Sequence, residues 1–291
     1  MTVLDRQSRF MQFWFAPEAE ANRIVTRVLL AATALWVVLS RFDLPSVLGY
    51  PAEMWSFVPF AQRIRFLYLL PLGVERALYV ALHLFLVGAL FGVAYRTSCI
   101  VSGMLLIHFA PLESILWVPN PYLHGLTIPA LGLLVLGFAG KRERRRWPLR
   151  LIQIFFAQIY FFAGYSKIFT SGFAWIDASN IRRYLLLLSQ YLGFDRGHPA
   201  YAITAIPILC AAIAWTGVLF DLAFPIVIFK PVTRWVMLPL ALIFHIGNAV
   251  LFHVVFQEAA LLLIFVNWQP LAERVRAWRA AASPRPAGVV S

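Results

Sequence analysis

The most informative residue of the sequence is Lys167, a charged residue near the end of a long apolar run that includes residues 160–166. Hydrophobic packing alone does not explain a lysine at this position. An ionisable amine at membrane depth costs about 2.5–3.5 kcal/mol on insertion scales. Such a residue needs a partner, a wet cavity or a chemical task. The alternative is a side chain that extends to the lipid headgroups and keeps its amine in water. The other lysines, Lys141 and Lys230, lie in short basic connections and need no special explanation.

The composition is typical of a polytopic membrane protein. Of the 291 residues, 61% are hydrophobic and only 13% are charged. Apolar runs of about 20 residues recur, which is the length of a bilayer span. We therefore predict an all-α transmembrane helical bundle with about eight spans. The predicted helices cover residues 24–40, 74–95, 98–117, 121–139, 150–170, 203–228, 234–252 and 255–268.

The positions of arginine and lysine in short loops predict the orientation, because basic residues concentrate on the cytoplasmic side. The basic run 141–150 is placed inside, and both termini then lie in the cytoplasm. We expect one transmembrane domain over 1–280, with an interfacial N-terminal segment at 1–23, followed by a disordered tail at 281–291. The segment 174–198 is too polar to span but has apolar residues at helical spacing. It is predicted to be an amphipathic helix in the outer interface.

Polar side chains accumulate in the predicted outer half of the bundle. Steps of three and four along the helix of Lys167 give a stripe of small and polar residues, and the seventh predicted helix carries three polar residues on approximately one face. We expect these and neighbouring residues to line one outer-leaflet cavity. They are Tyr160, Gly164, Asn120, His124, Trp175, His245, Asn248, His253 and Glu258. A purely packing role for the histidines stays open.

Asp221 is another charged residue that is costly to place in an apolar run. Its helix is predicted to descend, which places it toward the inner half, away from Lys167. We expect a structural polar residue that pairs with an inner arginine such as Arg27 or Arg234. No metal site is expected, because the sequence has no H-E-x-x-H motif or comparable spacing of ligands.

These motifs resemble those of vitamin K-dependent gamma-carboxylase and its relatives with the horizontally transferred transmembrane (HTTM) domain. The similarity covers nearly the whole chain as one membrane domain. Its central motif is Tyr160-Phe161-x-Ala163-Gly164-x-x-Lys167, followed by Trp175. The supporting motifs are Asn120-x-Tyr122-Leu123-x-Gly125-Leu126, Leu219-Phe220-Asp221-Leu222 and Phe244-His245-x-x-Asn248.

The resemblance implies a quinol site. In the carboxylase, the lysine that matches Lys167 is regarded as the base that deprotonates vitamin K hydroquinone. Lys167 is therefore the expected base, and His245, in the matching Phe244-His245-x-x-Asn248 motif, is the second expected catalytic residue. The expected cofactor is vitamin K hydroquinone or menaquinol. The implied chemistry is carboxylase-like or that of a quinol-dependent lyase or oxidoreductase. Quinol or isoprenoid-lipid binding is expected rather than glutamate carboxylation, because Asn120 stands where the carboxylase has an important histidine.

The expected location is the bacterial inner (plasma) membrane. Expected partners are a membrane lipid or quinol, and another membrane or periplasmic protein. The net charge of +12 is explained by topology and by attraction to anionic lipid, and no nucleic-acid motif accompanies it. The alternative function is a non-catalytic lipid-handling, transport or assembly subunit. In that case Lys167 forms a structural ion pair with Glu258 or Asp177.

Overall fold

The computed structural model describes residues 3–41, 70–116, 124–195 and 197–282. Within these ranges the chain is all-helical, apart from one isolated bridge between Pro17 and Arg145. The α-helices are α1 (Val3–Phe15), α2 (Glu20–Arg41), α3 (Leu72–Phe91), α4 (Tyr95–Leu116), α5 (His124–Ala139), α6 (Trp147–Ser171), α7 (Ala178–Leu192), α8 (Pro199–Thr204), α9 (Pro207–Ala223), α10 (Ile226–Phe229), α11 (Arg234–Phe252) and α12 (Gln269–Ala282). Short 3-10 helices cover Gly172–Ile176, Pro231–Thr233 and Gln257–Phe265.

Five described helical segments are long and apolar enough to cross a membrane, so the chain is an integral membrane protein. They are Glu20–Ser40, Leu72–Phe91, Trp147–Ile176, Pro207–Phe229 and Pro231–Phe252. Each of the eight predicted helices has a helical counterpart, but the count of eight spans stays a prediction. The predicted helix at 255–268 is the nine-residue 3-10 helix Gln257–Phe265. At about 2.0 Å per residue it rises about 18 Å, well short of a bilayer core of about 30 Å.

The helices pack in two connected groups. In the first group α2, α3, α4 and α5 pack on one another, and α4 lies especially close to α5. A Cβ on Gly103 of α4 would lie only 2.8 Å from the carbonyl oxygen of Ala130, so the two backbones need glycine there. In the second group α6 and α7 pack on α9. The groups join where α5 contacts α6 and where the 3-10 helix Gln257–Phe265 packs on α2.

The amphipathic helix predicted within 174–198 is α7. It begins after Asp177, whose Oδ1 accepts a hydrogen bond from the backbone N–H of Ser179 at 2.7 Å. Of the apolar residues at helical spacing on α7, Ile181 and Leu185 are buried, whereas Tyr191 is exposed. The buried face of α7 therefore includes only some of these residues. Asp177 therefore caps a helix and is not the partner of Lys167. The position of α7 at a membrane interface stays a prediction.

The basic segments meet at one end of the bundle, which we call the basic end. There the backbone N–H of Glu18 donates to the oxygen of Arg144 at 2.8 Å, and the N–H of Trp268 donates to Asn22 Oδ1 at 2.7 Å. The side of the membrane that this end faces stays a prediction. Helix α12 continues to Ala282, and residues 283–291 of the expected tail lie outside the described residues.

Candidate functional site

Lys167 forms an ion pair with Asp221. The distance from Lys167 Nζ to Asp221 Oδ2 is 2.6 Å, and the two side chains are 24% and 2% exposed. The ammonium also lies 5.9 Å from the centroid of the Trp175 ring, which is within range of a cation–π interaction. The Lys167 ammonium thus lies between a carboxylate from α9 and an aromatic ring from the 3-10 helix that follows α6.

The prediction that Asp221 lies apart from Lys167 and pairs with an inner arginine is wrong. Arg27 and Arg234 donate to backbone carbonyl oxygens instead. The prediction estimated the depth of each residue from its backbone position along an ideal helix. Helical side chains, however, lean toward the N-terminus of their own helix, so the charged groups lie at different depths from their backbones. Because α6 and α9 pack antiparallel, Lys167 and Asp221 lean toward each other and close the gap.

Gly164 makes this contact possible. A Cβ on Gly164 would lie 2.8 Å from Asp221 Cβ and 3.1 Å from the backbone nitrogen of Leu222. Real Cβ atoms do not approach other atoms so closely, so α9 would have to move away. The structure therefore gives Gly164 a packing role: it brings the α6 and α9 backbones close enough for Lys167 to reach its carboxylate.

Tyr160 and His245 form a second polar pair on the same side of α6. The Tyr160 hydroxyl lies 2.6 Å from His245 Nε2, and the Tyr160 ring stacks on Phe224 with a centroid separation of 4.1 Å. Tyr160 is buried. The other ring nitrogen, His245 Nδ1, is also buried and has no hydrogen-bond partner among the described residues. The described residues therefore leave the hydrogen-bonding capacity of this nitrogen unused.

Two buried carboxylates lie in the neighbourhood of Tyr160. Glu258, in the first turn of the 3-10 helix Gln257–Phe265, and Asp221 are both close enough to act on it electrostatically. Glu258 also lies beside the start of α5, because a Cβ on Gly125 would be 3.9 Å from Glu258 Oε2. Helix α5 begins at His124, whose side chain lies outside the described residues, as does Asn120.

The polar residues of α11 separate in the structure. The helix ends at Phe252, and His253 takes a left-handed conformation with φ +54°. The His253 ring lies 6.1 Å from the Phe194 ring, whereas the His245 ring contacts Tyr160 and Phe256, so the two histidines contact different residues. Asn248 lines a different place, an apolar groove of about 350 Å³ between α9 and α11.

Aromatic side chains separate this groove from the Tyr160–His245 pair. Phe244 lines the groove and packs against Phe220 at 5.1 Å between centroids. Phe220 in turn meets the Tyr160 ring edge-on at 5.6 Å. Phe244 also contacts the His245 ring directly, at 5.7 Å between centroids, so a single ring separates the groove from the polar cluster on that side.

Sequence reasoning missed a buried pair between Glu75 and His108. Glu75 is completely buried, and its Oε2 lies 3.0 Å from His108 Nε2. The available signal was a histidine inside an apolar run, the same rule that singled out Lys167. No three His, Cys, Asp or Glu side chains within the described ranges are arranged to hold a metal ion.

Comparison with known families places these residues in one domain. A model of the HTTM domain matches residues 15–268, which is most of the chain and includes both polar pairs. The family predicted from the sequence motifs is therefore confirmed. A search of curated proteins and a search of solved structures each found no match.

Proposed function

The chain belongs to the HTTM domain family, and on that premise we propose that it binds a quinol beside Lys167 and His245. The family match and the five apolar helices establish a membrane protein related to the carboxylase membrane domain. The proposal adds menaquinol or vitamin K hydroquinone as ligand and the bacterial inner membrane as location.

The observation that carries the proposal is the orphaned His245 Nδ1. Its neighbour Nε2 is already engaged by Tyr160 at 2.6 Å, whereas Nδ1 is buried without a partner among the described residues. Burying an unpaired polar atom is costly, so such atoms usually have a partner. A quinol hydroxyl or a quinone carbonyl supplies one, because imidazole nitrogens donate or accept according to the tautomer.

In this proposal Lys167 and Asp221 handle the proton of the quinol. A neutral amine accepts the proton of the quinol O–H group, which leaves a quinolate and an ammonium. Asp221 Oδ2, at 2.6 Å from Nζ, stabilises that ammonium, so the observed pair corresponds to the lysine after proton uptake. In the proposal, the proton leaves the pair from the Lys167 side, since that side chain is 24% exposed whereas Asp221 is 2% exposed.

The groove between α9 and α11 is the proposed place for the isoprenoid tail. It is lined mostly by apolar side chains, with Asn248 among them. Phe244 lines the groove and is the chain neighbour of His245. A ligand with its quinol ring at His245 and its isoprenoid tail in the groove would therefore pass beside Phe244.

The ion pair itself favours a second candidate function, that of a non-catalytic lipid-handling, transport or assembly subunit. There the pair only joins α6 to α9. Lys167→Arg separates the two functions, because arginine keeps the positive charge for Asp221 but does not release its proton. A base predicts that this variant folds and binds quinol but does not deprotonate it. A structural pair predicts no loss in any assay.

The experiment is a spectroscopic titration of the purified protein in lipid nanodiscs with menaquinol and with vitamin K hydroquinone. We expect saturable binding by the wild type and at least tenfold weaker binding by His245→Gln, a loss of about 1.4 kcal/mol or more. His253→Asn is the matched control from the end of the same helix, since asparagine tolerates the left-handed conformation. Its affinity should stay within about twofold of the wild type. Absence of saturable binding, or equal loss in both variants, ends the proposal.

A further inference from the structure

A second polar site lies at the basic end of the bundle, apart from Lys167. A cavity of about 410 Å³ opens there between the segment after α1, the start of α6 and the end of the 3-10 helix Gln257–Phe265. Its charged lining residues are Arg146, Arg150, Arg234 and Glu18. Three positive charges and one negative charge leave a net charge of +2 in this cavity.

Arg150 is the most deeply buried of these arginines, with only 7% of the residue exposed. Its Nη1 donates to Gln153 Oε1 at 3.1 Å and to the Ile228 oxygen at 3.0 Å, and its guanidinium lies 4.8 Å from the Phe13 ring centroid. Its Nε is buried without a hydrogen-bond partner among the described residues. No described residue accepts from this donor, and an unmade hydrogen bond on a buried donor costs free energy.

The other two arginines increase the need for an anion. Both Arg146 and Arg234 are close enough to repel Arg150 electrostatically. Arg234 donates to the neutral backbone oxygens of Val227 and Phe265. Among the described residues, the carboxylate that lines the cavity is that of Glu18, which already binds Arg146 Nε at 3.0 Å. Within the part of the chain that the structure describes, two guanidinium charges thus have no acidic counterpart in the cavity lining.

We propose that this cavity binds the phosphate of an anionic phospholipid headgroup. Guanidinium groups bind phosphate through paired, charge-assisted hydrogen bonds, and the phosphate supplies both the negative charge and the acceptors that Arg150 lacks. The cavity is at the small end of the range of about 300–1,000 Å³ for ligand pockets, so it holds the phosphate with a glycerol-sized group.

The neighbouring helix α1 places the cavity at headgroup level. Phe10, Met11 and Phe15 are exposed on α1, whereas Phe13 stacks on Phe229 of α10. An amphipathic helix with an exposed apolar face lies in the plane of the membrane interface. A phospholipid in that interface has its phosphate at the height of the arginines. A soluble phosphate compound has the same anchoring chemistry, so the test includes it separately.

The test measures lipid binding to the full-length protein by native mass spectrometry from detergent micelles. The probes are dioleoylphosphatidylglycerol and dioleoylphosphatidylcholine, with inorganic phosphate as competitor. We expect the wild type to bind phosphatidylglycerol at least tenfold more tightly than phosphatidylcholine, and Arg234→Gln to lose that preference. Arg142→Gln, which removes an exposed charge from the same end, should keep it. If Arg234→Gln does not fold, Arg146→Gln carries the same expectation, because its side chain is 34% exposed and tolerates change better.

Equal binding of the two lipids by the wild type overturns the proposal. So does an equal loss of preference in Arg142→Gln and in the cavity variant, because the effect would then be general surface charge. Displacement of phosphatidylglycerol by an equal concentration of inorganic phosphate overturns the lipid assignment. Failure of inorganic phosphate to compete supports the lipid.

Discussion

Lys167→Met should destabilise the protein by about 3–4 kcal/mol at pH 7. The variant leaves the Asp221 carboxylate, which is 2% exposed, without its counter-charge. Breaking a buried pair on one side costs about 3–5 kcal/mol. The carboxylate escapes this penalty by taking up a proton, and from an ordinary pKa of about 3.9 that costs about 4.2 kcal/mol at pH 7. The carboxylate adopts whichever state costs less, unpaired and charged or protonated, so the expected loss of stability does not exceed the cost of protonation.

The same reasoning makes the loss depend on pH. Protonating a carboxylate at pH 5 costs only about 1.5 kcal/mol, so the variant should approach the wild type as the pH falls. Adding Asp221→Asn to Lys167→Met removes the unpaired charge and should recover at least half of the loss at pH 7, because a buried pair replaced on both sides is often nearly neutral. Ser166→Ala, on the exposed side of α6, is the control and should change stability by less than about 0.5 kcal/mol.

The assay is equilibrium unfolding in mixed micelles, with the free energy of unfolding measured at pH 7 and at pH 5 for the wild type and the three variants. A Lys167→Met variant as stable as the wild type at pH 7 would refute the reasoning. A loss that is the same at both pH values would also refute it, because it would then come from packing rather than from an unpaired charge.

Two further predictions concern the helix contact and the basic end. Gly164→Ala should lower the free energy of unfolding by about 1–3 kcal/mol, because the added Cβ would lie 2.8 Å from Asp221 Cβ on α9. Gly247→Ala, with open space around the added Cβ, should be neutral or slightly stabilising. Thermal unfolding in detergent compares the two variants. Hydrogen bonding from Arg145 lowers the pKa of Glu143 from 4.5 to about 2. The wild type should therefore be more stable than Glu143→Gln by its full margin above pH 4.5, and this margin should disappear as the pH falls toward 2. The measurement is the melting temperature of both proteins from pH 7 to pH 2.5. A difference between the two proteins that is the same at every pH would contradict the prediction.

The helices were predictable because long apolar runs and basic loops are local signals. The contact of Lys167 with Asp221 was not, because it depends on where two helices cross and on the lean of two side chains. Gly164 offered a hint, since a small residue on a polar stripe permits close approach, but the sequence does not say which helix approaches it.

The misplacement of His253 has a different cause. The predicted helix ended at residue 252, as it does in the structure, yet the face argument treated His253 as one more helical residue. A residue just past a helix end commonly takes a left-handed conformation that turns its side chain away. The arginines of the basic end were interpreted as a topology signal, as attraction to anionic lipid and, for Arg234, as a partner of Asp221. Nothing local in the sequence shows that Arg150 and Arg234 line one cavity.

The most direct test of quinol binding uses the fluorescence of Trp175. Its ring centroid lies 5.9 Å from Lys167 Nζ, so a quinone bound at Lys167 and His245 would quench it. The measurement is a titration of wild type and Trp175→Phe with menaquinone in nanodiscs, and the difference between the two curves isolates Trp175 from the other tryptophans. A saturable difference that His245→Gln shifts to at least tenfold higher concentration is the predicted result. A difference that rises linearly without saturation, or one unchanged in His245→Gln, would contradict a quinol site at this position.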